Sequence, residues 1–182
     1  VVSVSKKEDL LKEASSAVFV LTSDDIRRSG LNSFAELMRL VPGMQVAQKN
    51  SSTWGITSRG FNNLRANKLL VMIDGRSLYS PLYAGVFWDQ LDYILSDIKQ
   101  IEVIRGSGGS VWGANAVNGV VNIVTKSARE TEGLSLSARA GGHDTLVSGI
   151  SFNGKVGDDA SYRLYAKTSN YDRNVFANNG NK

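Results

Sequence analysis

Ile98-Lys-Gln-Ile-Glu-Val-Ile-Arg105-Gly106-Ser-Gly-Gly-Ser-Val-Trp-Gly-Ala-Asn-Ala-Val-Asn-Gly119-Val-Val-Asn-Ile-Val-Thr-Lys126 is the stretch that decides the fold. Its two ends are rich in β-branched residues and read as buried strands, 98–105 and 119–125. A glycine loop at 106–109 lies between them. Strand followed by Gly-x-Gly invites a dinucleotide-site reading, but that pattern needs a third glycine where Val111 stands. No Lys-Ser/Thr pair follows to make a phosphate loop either. A tight structural turn is the better reading.

Upstream, the chain reads as short elements with clear punctuation. Phe19, Val20 and Leu21 form a short apolar run, a first strand. Thr22-Ser-Asp-Asp25 has the form of a capping box and opens a short helix that Gly30 closes. Ser33 and Glu36 make a second box. Phe34, Leu37, Met38 and Val41 follow at i, i+3, i+4 and i+7, one helical stripe stopped by Pro42-Gly43. Residues 44–47 resume extended structure, 56–61 form a strand ending near Gly60, and 68–73 form a strand covered on both faces. Asp74-Gly75 marks a hairpin with a return strand over 76–79.

Beyond Lys126 the texture changes. Leu134, Leu136, Ala138 and Ala140 alternate with Ser135, Ser137 and Arg139, and 146–156 and 161–170 behave similarly. Segments of about ten residues with such alternation suit the wall of a membrane barrel. They also suit a soluble antiparallel sheet. The expected class is α+β: a globular unit with a small mixed β-sheet and short helices, then antiparallel strands that look unfinished. The expected division is an extended segment at 1–17, the mixed unit at 18–126 and the alternating strands at 127–182.

Composition narrows the function. The chain has 182 residues, net charge +4 and no cysteine. Residues 1–126 hold 14 basic and 11 acidic side chains, and the rest hold 7 and 6, so neither part has the footprint of a nucleic-acid binder. No run of 18 apolar residues occurs, so no transmembrane helix is expected. His143 is the one histidine and sits in a turn-like Gly-Gly-His-Asp. Triads and three-ligand metal sites need more, so neither a catalytic residue, a metal site nor a cofactor is expected. Asp24-Asp25 and Asp158-Asp159 are adjacent pairs whose side chains diverge, unlike an acid/base pair.

Two sets of residues remain as candidates for binding. Asn50, Ser52, Trp54, Tyr79, Tyr83, Phe87 and Trp88 fall in two loops outside the periodic strands, where core packing at the loop bases accounts for some of the aromatics and aromatic and polar groups together also make a ligand face. Arg59 and Arg105 each precede a glycine at a strand end, and arginine forks pair with carboxylates at interfaces.

Four motifs together carry a resemblance. They are Phe34-Ala-Glu-Leu-Met-Arg-Leu-Val-Pro-Gly43, Thr57-Ser-Arg-Gly-Phe61, Leu70-Val-Met-Ile-Asp-Gly-Arg-Ser-Leu78 and the long block at 98–126. In this order and spacing they resemble the plug of TonB-dependent outer-membrane receptors. One departure is Ser107, where that family often has proline.

The resemblance implies a plug filling a large outer-membrane β-barrel of a Gram-negative bacterium, with its N-terminus periplasmic. It implies active uptake of a scarce bulky nutrient, a ferric siderophore first, with cobalamin, haem or another metal complex as alternatives. The partners it implies are the periplasmic domain of TonB, the chain's own barrel, the ligand and, through the barrel, outer-membrane lipid. Val1, Val2, Ser3, Val4 and Ser5 fall where that family's TonB box lies, gripped by strand addition. Arg59 and Arg105 fall where plug arginines meet barrel-wall glutamates. Residues 48–54 and 78–89 fall at the apices where substrate lands. Outside the resemblance, two rivals stand: a soluble periplasmic binding module and, more remotely, a nucleotide-using enzyme.

Overall fold

The two strands flanking the glycine loop pair with each other, and the rest of the sheet is built around them. A computed structural model of the chain describes residues 17–50, 53–60, 63–65, 68–106, 112–113, 115–140, 144–157 and 160–171. Strands β1 (Ala17–Thr22), β4 (Leu69–Ile73), β5 (Arg76–Ser77), β6 (Ile98–Arg105) and β7 (Gly119–Thr125) form one mixed sheet in the order β1-β6-β7-β4-β5. β6 runs antiparallel to both β1 and β7, while β7 runs parallel to β4.

Period two divides these strands between two cores. Leu69, Val71, Ile73, Ile101, Val103, Val121 and Ile123 face the larger core, and Leu70, Met72, Ile104 and Val120 face a smaller one. Burial on both faces explains why 69–73 is an unbroken apolar run. Burying each such side chain contributes roughly 1.5–3 kcal/mol.

Two short helices cover the larger core. Helix α1 (Ser23–Ser29) starts at the Thr22–Asp25 capping box and ends at Gly30, which has φ 69°. The Thr22 hydroxyl and backbone N–H both bond the Asp25 carboxylate and hold its pKa below the ordinary value. Helix α2 (Phe34–Leu37) starts at the Ser33–Glu36 box, and a 3-10 turn follows at Met38–Leu40. The helical stripe expected over 34–41 is thus one α turn followed by a 3-10 turn. The residue before proline disfavours the helical region, and Val41 takes ψ 116°. All four stripe residues are still buried.

Strands β2 (Met44–Gln48) and β3 (Trp54–Ser58) form a separate antiparallel hairpin. The strand expected over 56–61 begins earlier and ends earlier. Pairing of Gln48 with Trp54 starts it, and Arg59 in the left-handed region (φ 61°) stops it. The return strand expected over 76–79 is only two residues long. Past it, Leu78 N–H still donates to Val71 at 2.9 Å before the chain turns into a bridge between Ser80 and Gly85.

Asp74-Gly75 makes the anticipated tight turn, with φ 46° and 80°. The Asp74 carboxylate accepts from the Thr125 N–H at 2.9 Å and from the Thr125 hydroxyl at 2.8 Å. One turn therefore closes the β4–β5 hairpin and pins the end of β7.

Strands β8 (Gly133–Arg139), β9 (Asp144–Val156) and β10 (Ala160–Tyr171) form an antiparallel three-stranded sheet. Its register puts Leu134 opposite Phe152, Leu136 opposite Ile150 and Leu164 opposite Phe152. These five apolar side chains share one face and are all exposed, Leu136 at 71% and Leu164 at 64%. The opposite face carries Ser151 and Asn153, which are buried at 2% and 4% exposure. Polar inside and apolar outside inverts the soluble pattern and matches a barrel wall. The sheet is open: no closed barrel forms among the described residues.

Replacing Asp74 by alanine should destabilise the 17–126 unit by about 1–2 kcal/mol, the worth of two hydrogen bonds partly offset by water. Asp74→Asn, which keeps the Oδ1 acceptor, should lose less. Urea unfolding of the protein, followed by tryptophan fluorescence, checks both values.

Candidate functional site

Both arginine–glycine pairs lie at the end of the sheet where β6 stops and β7 starts. Arg105 Nη1 donates to the Pro42 carbonyl at 2.8 Å. A Cβ on Gly43 would stand 2.8 Å from that same Nη1, so Arg105 lies across the Pro42-Gly43 turn. One step on, a Cβ on Gly106 would stand 2.8 Å from the Arg59 guanidinium. Gly106 also has φ 90°, a conformation only glycine adopts without strain. Three segments remote in sequence are thus interlocked, each arginine seated on the glycine of another. Arg105 Nε is buried with no hydrogen-bond partner, and neither arginine forms an ion pair among the described residues.

The predicted ligand-face residues separate into two groups. Trp54 and Trp88 are core residues at 7% and 3% exposure. Trp88 stacks on Phe34 with centroids 6.0 Å apart, and the Arg39 guanidinium lies 5.1 Å from the Trp54 ring. These two support the loops from below and offer little surface to a ligand. Asn50 is exposed, with Oδ1 accepting from the Thr53 N–H at 2.7 Å. Tyr79 and Phe87 are half-buried, and Tyr83 is exposed. Tyr83 and Phe87 meet edge to face at 5.2 Å.

Sequence reasoning missed Arg65, whose guanidinium lies within 5.4 Å of both of these rings. Nothing local announces it, because it sits in an irregular stretch 18 residues before Tyr83. Ser52 and the N-terminal candidates Val1, Val2, Ser3, Val4 and Ser5 lie outside the described residues.

The third element is the joint between the two sheets. The polar face of the β8–β10 sheet supplies cations and the 17–126 unit supplies acceptors. Arg139 Nη1 donates to the Leu31 carbonyl at 2.9 Å, and Arg163 Nη2 to the Lys126 carbonyl at 2.6 Å. Arg163 also pairs with Asp97 at 3.8 Å, with both side chains under 20% exposed, and Lys167 pairs with Asp92. Lys126 itself returns to the turn before β6, its N–H donating to Asp97 O at 2.8 Å and its Nζ to Ser96 O at 2.7 Å. Removing one member of a partly buried set like this leaves a charge with poor solvation.

Among the described residues no cluster of three or more acidic, histidine or cysteine side chains is placed to hold a metal. The arrangement offers recognition and mechanical interlock.

The chain is similar in sequence and fold to known proteins. A family model described as the TonB-dependent receptor plug domain matches residues 10–120. The vitamin B12 transporter BtuB of Vibrio vulnificus is 29% identical over 143 residues, which is 78% of this chain and 23% of that protein. The ferric enterobactin receptor PfeA of Pseudomonas aeruginosa superposes with TM-score 0.63 at 25% identity, over 90% of this chain and 26% of the receptor. FpvA of the same organism, solved with bound pyoverdines, superposes with TM-score 0.72 at 19% identity, over 94% and 22%. The chain spans about a quarter of the length of the relatives it matches.

Gly106→Ala should cost about 1–3 kcal/mol, from the strained φ and the displaced Arg59 guanidinium. Adding Arg59→Ala should recover only the contact part of that loss. A double-mutant cycle by denaturant unfolding checks it, and strict additivity would mean that the two residues do not touch.

Proposed function

The chain belongs to the TonB-dependent receptor plug family, a non-enzymatic transporter family of Gram-negative outer-membrane receptors, and on that premise we propose that it is the plug and first wall strands of a receptor for active nutrient uptake. The observation that carries this reading is the inside-out sheet hydrogen-bonded to the mixed domain. A row of exposed Leu134, Leu136, Ile150, Phe152 and Leu164 suits contact with lipid. The polar face behind it, tied through Arg139, Arg163 and Lys167, suits a wall wrapped around a plug.

In this proposal residues 1–17 carry the TonB box within Val1–Ser5, 18–126 form the plug and 127–182 begin the barrel. The plug lies inside the barrel with its N-terminus in the periplasm. Arg59 and Arg105 face the rest of the barrel wall, where carboxylates would meet them. The unpartnered Arg105 Nε supports that assignment. Asn50, Tyr79, Tyr83 and Phe87 contact the cargo, with Ser52 on the same loop as Asn50, while Trp54 and Trp88 brace the loops.

The cargo is a bulky metal complex, a ferric siderophore first. PfeA, a ferric enterobactin receptor, shares the fold over most of this chain. Cobalamin is the second reading, favoured by sequence relatives that are vitamin B12 transporters. Cargo settling on the loops shifts the plug towards a state with its N-terminal segment exposed, and TonB adds a strand to that segment and pulls. The plug's part is binding and movement, with no covalent step.

Cells carrying the full parent receptor, offered labelled ferric siderophores and cobalamin, should accumulate one of them only when TonB works. Deleting residues 1–7 should abolish that accumulation and spare surface binding. Equal uptake by the deletion variant would overturn the TonB-box assignment, and TonB-independent uptake would overturn the transporter reading.

A further inference from the structure

Residues 126–132, Lys-Ser-Ala-Arg-Glu-Thr-Glu, join the mixed sheet to the three-stranded one. A short polar stretch between two packed units is ordinarily where one unit swings on the other. Here the stretch is folded on itself. Ser127 N–H donates to the Glu130 carboxylate at 3.4 Å, and Arg129 N–H to Ser127 Oγ at 3.2 Å. Ser127 O accepts from the Glu130 N–H at 3.0 Å and from the Thr131 hydroxyl at 3.1 Å.

The stretch is also tied to both units. Lys126 reaches the turn before β6 through its N–H and its Nζ. Glu130 pairs with Lys99 of β6 at 3.3 Å, and Glu132 pairs with Lys155 of β9. These two ion pairs are about half exposed, so each contributes little by itself.

One side chain closes the ties into a single structure. Arg163 of β10 sends Nη2 to Lys126 O at 2.6 Å and to Thr131 Oγ1 at 3.4 Å. Its Nε donates to Asn153 Oδ1 of β9 at 3.2 Å, and its Nη1 lies 3.8 Å from the Asp97 carboxylate. One guanidinium thus touches the start of the stretch, its end, the β8–β10 sheet and the turn before β6. The rigid planar fork keeps these donors in fixed relation. The Arg163 and Asp97 side chains are each less than a fifth exposed, so parting them leaves both charges poorly solvated.

We propose that 126–132 is a fixed splice between the two units rather than a hinge, and that Arg163 is the positioning residue that locks it. The lock is a property of the fold and holds whatever the cargo. If the transport reading above stands, a plug spliced in this way cannot swing about its covalent connection to the barrel, and its movement in uptake starts elsewhere.

Hydrogen exchange of the full parent receptor, read by mass spectrometry on peptides covering 126–132, tests this without cargo or TonB. In the wild type this stretch should exchange at least about 100-fold slower than an unstructured chain. Arg163→Gln should remove at least about tenfold of that protection, with peptides from β6 and β7 unchanged. Arg163→Lys, which keeps the charge and loses the fork, should fall between the two. Lys155→Gln, at an exposed pair, should change the rate less than about threefold.

An unprotected stretch in the wild type would overturn the splice. Protection that ignores Arg163→Gln, or falls equally in Lys155→Gln, would remove Arg163 as its lock, and so would a loss spread over β6 and β7. TonB-dependent uptake is scored separately: a protected, Arg163-dependent stretch in a receptor without such uptake keeps this inference and loses the transport reading.

Discussion

The antiparallel pairing of β6 with β7 is the interaction on which the remaining structure rests. β6 gives β1 its only partner among the described strands, and β7 gives β4 its parallel neighbour. The two strands send Ile101, Val103, Val121 and Ile123 into the larger core and Ile104 and Val120 into the smaller one. Both ends of the pair are used. At one end Arg105 and Gly106 enter the interlock with Gly43 and Arg59. At the other, Thr125 is held by Asp74 and Lys126 passes to the wall strands.

This division separates two kinds of contact. The interlock is built of arginines lying on glycines, with few hydrogen bonds and an unpartnered Nε. Such a contact depends on shape and can open without breaking a sheet ladder. The joint to the wall is built of cations bonded to carbonyls and to Asp92 and Asp97 in partly buried surroundings. It is the costlier one to open, because each group left behind would need new solvation.

The wall sheet reverses the usual relation between burial and polarity. Ser151 and Asn153 are buried, and Leu136 and Leu164 are exposed, the pattern that the proposed place in a barrel wall would require. Gly149 belongs to the same logic. It lies on the inner face, where a Cβ would crowd Ser137 Oγ of β8 at 3.0 Å and stand in ordinary contact with the Ile94 side chain at 3.4 Å.

The sequence alone determined the elements whose causes are local. Both capping boxes, the Asp74-Gly75 turn, the doubly covered strand at 69–73 and the alternation of 134–140 follow from neighbours a few residues apart. The strand–loop–strand block at 98–126, with the other three motifs, also carried the family. Tertiary structure decided what depends on distance in space. It moved the start of β3 two residues earlier and its end three residues earlier, because Gln48 pairs with Trp54 and Arg59 takes the left-handed region. It placed Trp54 and Trp88 in the core, where their loop-like surroundings had left packing and ligand contact both open, because each packs on a partner more than 10 residues away in sequence, Arg39 and Phe34. It also brought Arg65 to Tyr83 and Phe87, and Arg105 to Gly43. No periodicity encodes such meetings, since they arise only once the sheet has closed and remote loops share one end of it.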